Sequence, residues 1–118
     1  MGDSDQFVPA TDEAISSALD AMWNRHRTQI LERVAVLDDA AAAVAAGKLT
    51  AVDREAAQAA AHKLAGTLGM FNLMHGTELA RELEKTYAQE SAPPATSAEH
   101  LVSLTSEIRI LIETRKTG

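Results

Sequence analysis

Residues 59–71 read Ala59-Ala60-Ala61-His62-Lys63-Leu64-Ala65-Gly66-Thr67-Leu68-Gly69-Met70-Phe71. Wound at about 100° per residue, Ala57, Ala60, Ala61, Leu64, Leu68 and Phe71 fall within roughly 60° of Leu64 and form one apolar face. His62 falls roughly 160° from Leu64, nearly opposite, with Glu55, Gln58, Gly66 and Gly69 as neighbours. The stretch therefore predicts an amphipathic helix that turns a histidine outward. Such a helix must bury its apolar stripe against partners supplied by the rest of the chain.

Those partners are legible on both sides. Upstream, Thr11-Asp12-Glu13 follows Pro9 and opens a run without Gly or Pro until Gly47. Thr11 is a candidate N-cap, and the acidic pair suits the positive end of the helix dipole. Ile15, Leu19, Met22, His26, Ile30, Val34, Leu37, Ala41 and Val44 recur at three- and four-residue steps, one stripe on a long first helix. A helix of this length would be roughly 50 Å long, so its N-terminal part should overhang the bundle or bend across its end. Gly47 is the natural stop, and Thr50-Ala51-Val52-Asp53 restarts the chain with a pattern close to a capping box.

Downstream, Phe71-Asn72 looks like a break, and a third helix is expected from about Asn72 to Gln89 with Leu73, Gly76, Ala80, Leu83 and Tyr87 inward. Ser91-Ala92-Pro93-Pro94-Ala95 interrupts it. Thr96-Ser97-Ala98-Glu99 then predicts a capped last helix carrying Leu101, Leu104, Ile108, Leu111 and Ile112 inward. Arg115 and Lys116 suit the negative end of that helix, and Thr117-Gly118 should fray. Four amphipathic helices on short loops predict an all-α, antiparallel up-and-down four-helix bundle with a long or bent N-terminal helix. The expected organisation is an irregular N-terminus over 1–10 and a single domain over 11–116.

Composition agrees. The 118 residues are 46% hydrophobic but only 3% aromatic, an alanine- and leucine-rich balance that favours helices over sheet. No cysteine is present, which excludes disulfides and thiolate metal sites. The net charge of −6, with no basic patch, argues against nucleic acid as a partner. Residues 1–9 lack the basic and apolar regions of a signal peptide, Gln6 breaks a myristoylation motif, and residues 40–46 are too short to span a bilayer. A cytoplasmic monomer is the expectation. His26, His62, His75 and His100 show no pair at metal-ligand spacing, so no metal site is expected. No Gly-rich nucleotide loop is present either, so no autonomous kinase activity is expected. Trp23 should pack the end of the bundle.

His62 has three readings: a core histidine, an idle surface residue, or a reactive group. The periodicity removes the first. Against the second stand Gly66 and Gly69, each of which costs roughly 1 kcal/mol relative to Ala inside a helix. Their bland reading is that Gly69 belongs to the helix end and that Gly66 is drift or close helix packing. Their functional reading is bare backbone that lets another protein approach an exposed imidazole.

The stretch A-H-K-L-A-G-T-L-G-M-F, residues 61–71, resembles the phosphorylation motif of histidine-phosphotransfer (HPt) domains. There a His precedes by four positions a Gly followed by a small residue, on the second long helix of a bundle. Glu78-Leu79-Ala80-Arg81-Glu82-Leu83-Glu84 is similar to the family's next helix. The resemblance implies a phosphorelay carrier that accepts a phosphoryl group on His62, through its distal ring nitrogen, from a receiver-domain aspartate and passes it to another. It implies response-regulator receivers, with a hybrid sensor kinase among the candidates, as partners, and Mg²⁺ held by the receiver rather than by this chain. Gly66 matches the glycine that clears space. The family's usual Lys three residues after the His is absent, because Ala65 stands there. Lys63 is the candidate substitute, and Gln58 a candidate hydrogen-bond partner of the ring or the phosphoryl oxygens. The rival reading is a non-catalytic docking or dimerisation domain with His62 unused; a phosphatase-like partner of receivers is a third.

Overall fold

The computed structural model describes residues 12–115. Among the described residues there are four α-helices: α1 (Asp12–Ala45), α2 (Ala51–Met70), α3 (Met74–Tyr87) and α4 (Ala98–Thr114), with a 3-10 turn (Ala95–Ser97) leading into α4. Helices consecutive in sequence pack against one another, and α4 closes the ring onto α1. The ends meet as an antiparallel arrangement requires. The start of α1 lies against the end of α2 through Trp23 and Phe71, and Arg54 at the start of α2 donates to the carbonyl of Tyr87 at the end of α3. The fold is the expected up-and-down bundle.

The stripes read from sequence form the core. Leu37, Leu64, Leu68, Leu83 and Ile108 are fully buried at its centre, joined by the small residues Ala57, Ala61 and Ala80, which let the helices come close. Along α1 the stripe enters the core gradually: Ile15 is exposed, Leu19, Met22 and His26 are half-buried, and Ile30 onward is buried. The first helix is one uninterrupted span, and its early turns, over residues 13–18, are exposed, as the overhang expectation requires. Trp23 is buried where that stripe meets the bundle end, edge-on to Phe71 at 5.0 Å. The Arg115 guanidinium covers both rings and pairs with Asp20 at 3.1 Å, so one cation fastens the end of α4 to α1.

The helix ends show why the loops can be short. Gly47 at φ +67° closes α1, with Lys48 N–H donating to Ala43 O and Gly47 N–H to Val44 O, the paired bonds of a Schellman motif. Asn72, at φ +64°, does the same for α2, with Leu73 N–H on Leu68 O and Asn72 N–H on Gly69 O. Asn is among the few non-glycine residues that tolerate this region. That cap moves the start of α3 from the expected Asn72 to Met74, and the helix ends at Tyr87 rather than Gln89. Thr50 caps α2 as its sequence suggests, accepting from Asp53 N–H at 3.1 Å.

The capping box expected at Thr96 does not form. Ser97 is the N-cap residue, in a helical conformation and without a side-chain bond. The 3-10 turn, closed by Ser97 N–H on Pro94 O, already leads the backbone into α4. The proposed Thr11 cap and the tail from Lys116 onward lie outside the described residues. Among the described residues no helix is long and apolar enough to cross a membrane.

Candidate functional site

The face of α2 opposite the core carries His62, whose side chain is 73% exposed. All six residues assigned to the core face of this helix are buried, which fixes the rotation that turns His62 outward. The ring is nonetheless anchored. Its Nδ1 lies 2.8 Å from Oε2 of Glu84 on α3. An ionised carboxylate can only accept, so this contact requires a proton on Nδ1, and in the neutral ring the lone pair is then on Nε2. Nε2 is the distal nitrogen, clear of Cβ, and has no hydrogen-bond partner among the described residues. One contact thus sets the ring's orientation and, in the neutral ring, its tautomer.

His100 offers a useful contrast. It too pairs with a carboxylate, Glu82, at 2.6 Å, but through Nε2. Its distal nitrogen is occupied, and what remains is the nitrogen crowded by the side chain's own attachment. His75 is exposed beside Glu78 at 3.9 Å, and His26 is half-buried on α1. Of the four histidines, His62 alone combines exposure, an anchored ring and an open distal nitrogen.

Two shallow hollows flank His62. One is lined by Glu55, Gln58, Ala59, His62, Lys63 and Glu84, and the other by Arg33, His62, Lys63, Gly66, Thr67 and Met70. Gln58 is therefore beside the ring, but the ring's Nδ1 is taken by Glu84. Lys63 is exposed and borders both hollows.

The two glycines separate. A Cβ added at Gly66 would meet nothing within 4 Å, so helix packing does not require glycine there. A Cβ at Gly69 would lie 3.3 Å from Oγ1 of Thr77, the buried hydroxyl that donates to Ala65 O at 2.9 Å. Gly69 thus belongs to the seam between α2 and α3, whereas the bare backbone at Gly66 serves only the outer face. Ala65, where the resemblance would place Lys, is buried in that same seam.

Glu84 and Arg33 escaped the sequence reading. Each sits on a different helix from His62, and only the register between helices brings it near. Glu84 does fall in the segment quoted for its likeness to the third helix of the family, which was the available signal.

A family model for the Hpt domain matches residues 21–114, which span all four helices. The chain belongs to the Hpt domain family. Hpt domains pass phosphoryl groups through a histidine in phosphorelays, as carriers rather than kinases, and interact there with receiver domains and kinases. A curated relative, protein RcaC from Microchaete diplosiphon, is 38% identical over 66 residues. The aligned part is 56% of this Hpt chain and spans about a tenth of the relative's length, 10%. No solved structure matches the chain.

Proposed function

We propose that His62 is the phosphoryl acceptor of this Hpt domain and that Nε2 is the atom that carries the group. The single observation that supports this most is the Glu84 contact, which ties Nδ1 and leaves the distal nitrogen of an exposed ring open. The donor is the aspartyl phosphate of a response-regulator receiver. The Nε2 lone pair forms the N–P bond as the P–O bond to the aspartate breaks, and the aspartate departs as a carboxylate with the bonding electrons. The product ring carries positive charge while the Nδ1 proton is still in place, and the Glu84 carboxylate lies against that proton. Stabilising charge where it develops is the main help a protein gives to phosphoryl transfer, together with alignment. Return of the group to a second receiver aspartate reverses the same bond changes.

In this reading the partner receiver holds the Mg²⁺ and this chain supplies a rigid imidazole, with Gly66 leaving room for the partner's approach. The unit acts as a cytoplasmic, monomeric carrier over residues 11–116, without ATP chemistry of its own. The test is transfer of labelled phosphate from phosphorylated receivers. The expected label is acid-labile and stable to alkali, as phosphohistidine is. Label that no receiver delivers, with receivers still bound, would favour the docking-module alternative.

Glu84 gives a graded check on the same step. Glu84→Ala is expected to slow transfer about tenfold, the weight of one charge-assisted hydrogen bond, and Glu84→Gln less, because an amide oxygen still accepts from Nδ1. Ring nitrogen NMR should show Glu84→Ala losing the bias toward the Nδ1–H tautomer. An unchanged rate together with an unchanged tautomer would remove Glu84 from the mechanism.

A further inference from the structure

The resemblance leaves a chemical gap, because Ala65 stands where the family's Lys would meet phosphoryl charge. A transferring phosphoryl group spreads negative charge over three oxygens, and a cation at that place lowers the barrier. Ala65 is only 6% exposed and is enclosed in the α2–α3 seam, so the place itself offers no cation. A cation would have to come from elsewhere on the face around His62.

Arg33 comes from α1, a helix apart from the motif. It lines the hollow that His62, Lys63, Gly66 and Thr67 also line, and its Nη1 reaches Oγ1 of Thr67 at 3.4 Å. Arg109 and Arg115 are each paired with an aspartate, whereas Arg33 has no carboxylate partner among the described residues. Around α2, Gly66 stands between His62 and Thr67, and open space lies above its backbone. Gly66 thus leaves its part of the way from the imidazole to Arg33 free of side chain, with Lys63 bordering the same hollow. Glu84 pulls Nδ1 toward α3, on the other flank, so Nε2 is turned away from α3.

We propose that Arg33 is the phosphoryl-binding cation of this domain, reaching across from α1 to the group carried on His62. The inference rests on the reading of His62 as acceptor. Thr67 holds one nitrogen of the guanidinium, and the remaining donors of the planar fork are left for phosphoryl oxygens, a geometry suited to two parallel bonds. Gly66 keeps the intervening space empty. Ala65 becomes tolerable because the charge comes from a different helix. Lys63, which borders the same hollow, is the competing cation, shorter in reach than an arginine and tethered nowhere among the described residues.

The experiment compares single-turnover transfer from a labelled receiver to wild type, Arg33→Gln, Arg33→Lys and Lys63→Ala. Arg33→Gln keeps a polar side chain with an amide donor, though a shorter one, while removing the charge, and its melting temperature checks the fold. The expected result is a fall of about tenfold for Arg33→Gln, partial recovery in Arg33→Lys, and little change in Lys63→Ala. A phosphorus NMR titration of the phosphorylated forms supplies a readout that packing alone does not move. Loss of a nearby cation should raise the phosphoryl ionisation in Arg33→Gln by about half a unit. Wild-type rate and titration in Arg33→Gln would overturn the proposal, and the same two effects appearing in Lys63→Ala instead would transfer the role to Lys63. Wild type that takes up no label would defeat the His62 reading itself and Arg33 with it.

Discussion

The His62→Gln variant is expected to fold like the wild type and to accept no phosphoryl group. Both halves follow from the position of the side chain. It is largely in water, on the face of α2 opposite the core, and contributes one solvent-exposed hydrogen bond. Surface substitutions of this kind stay within about 0.5 kcal/mol, and Gln is a good helix former whose amide can still donate to Glu84. Chemistry has no such tolerance. An amide nitrogen has no available lone pair, so the N–P bond cannot form, and alignment and charge stabilisation have nothing to act upon. Labelled receiver mixed with the variant should keep its label or lose it only to water. Alkali-stable label on the variant would move the acceptor to another histidine. His100 would be the first to test, in spite of its occupied Nε2.

Much of this was legible in the residues because the relevant physics is local. Periodicity along α2 placed Leu64 inward and His62 outward without knowledge of any neighbour, and Gly47 marked the end of α1 through its own backbone freedom. Where a cap depended on context, local reading failed. Thr96 has the composition of a capping box, but the 3-10 turn after Pro94 feeds α4 directly, and the side chain is not used. Asn72 looked like a generic break, and only the structure shows the left-handed cap that delays α3. Glu84 and Arg33 mark the same boundary within the site. The register of α3 and α1 against α2 follows from side-chain packing, so the ring's anchor and the neighbouring cation become visible only once the helices are docked. Gly66 and Gly69 share a face in sequence, and only the position of Thr77 shows that packing constrains Gly69 and not Gly66.

A second large effect is expected far from the site, at Tyr87. The residue ends α3 with no exposed surface, and its hydroxyl has no hydrogen-bond partner among the described residues. Burial pushes its pKa from the ordinary 10.0 up to about 12. The native state therefore holds the phenol proton more tightly than the unfolded chain does. Below pH 10 both states are protonated and stability is flat with respect to this group. Between pH 10 and 12 the unfolded chain ionises first, and stability falls by about 2–3 kcal/mol, the free energy of two pKa units. Tyr87→Phe removes both the unmade hydrogen bond and the titration. At neutral pH it should be more stable by about 1 kcal/mol, because a buried donor no longer goes unsatisfied, and above pH 10 its advantage should widen. Tyr87 is the chain's one tyrosine, so phenolate absorbance reports it alone. The native titration should be centred near pH 12 and return to its ordinary place in urea. A native midpoint near 10 would show the hydroxyl meeting water or a polar partner, and the stabilisation expected of Phe would then disappear with it.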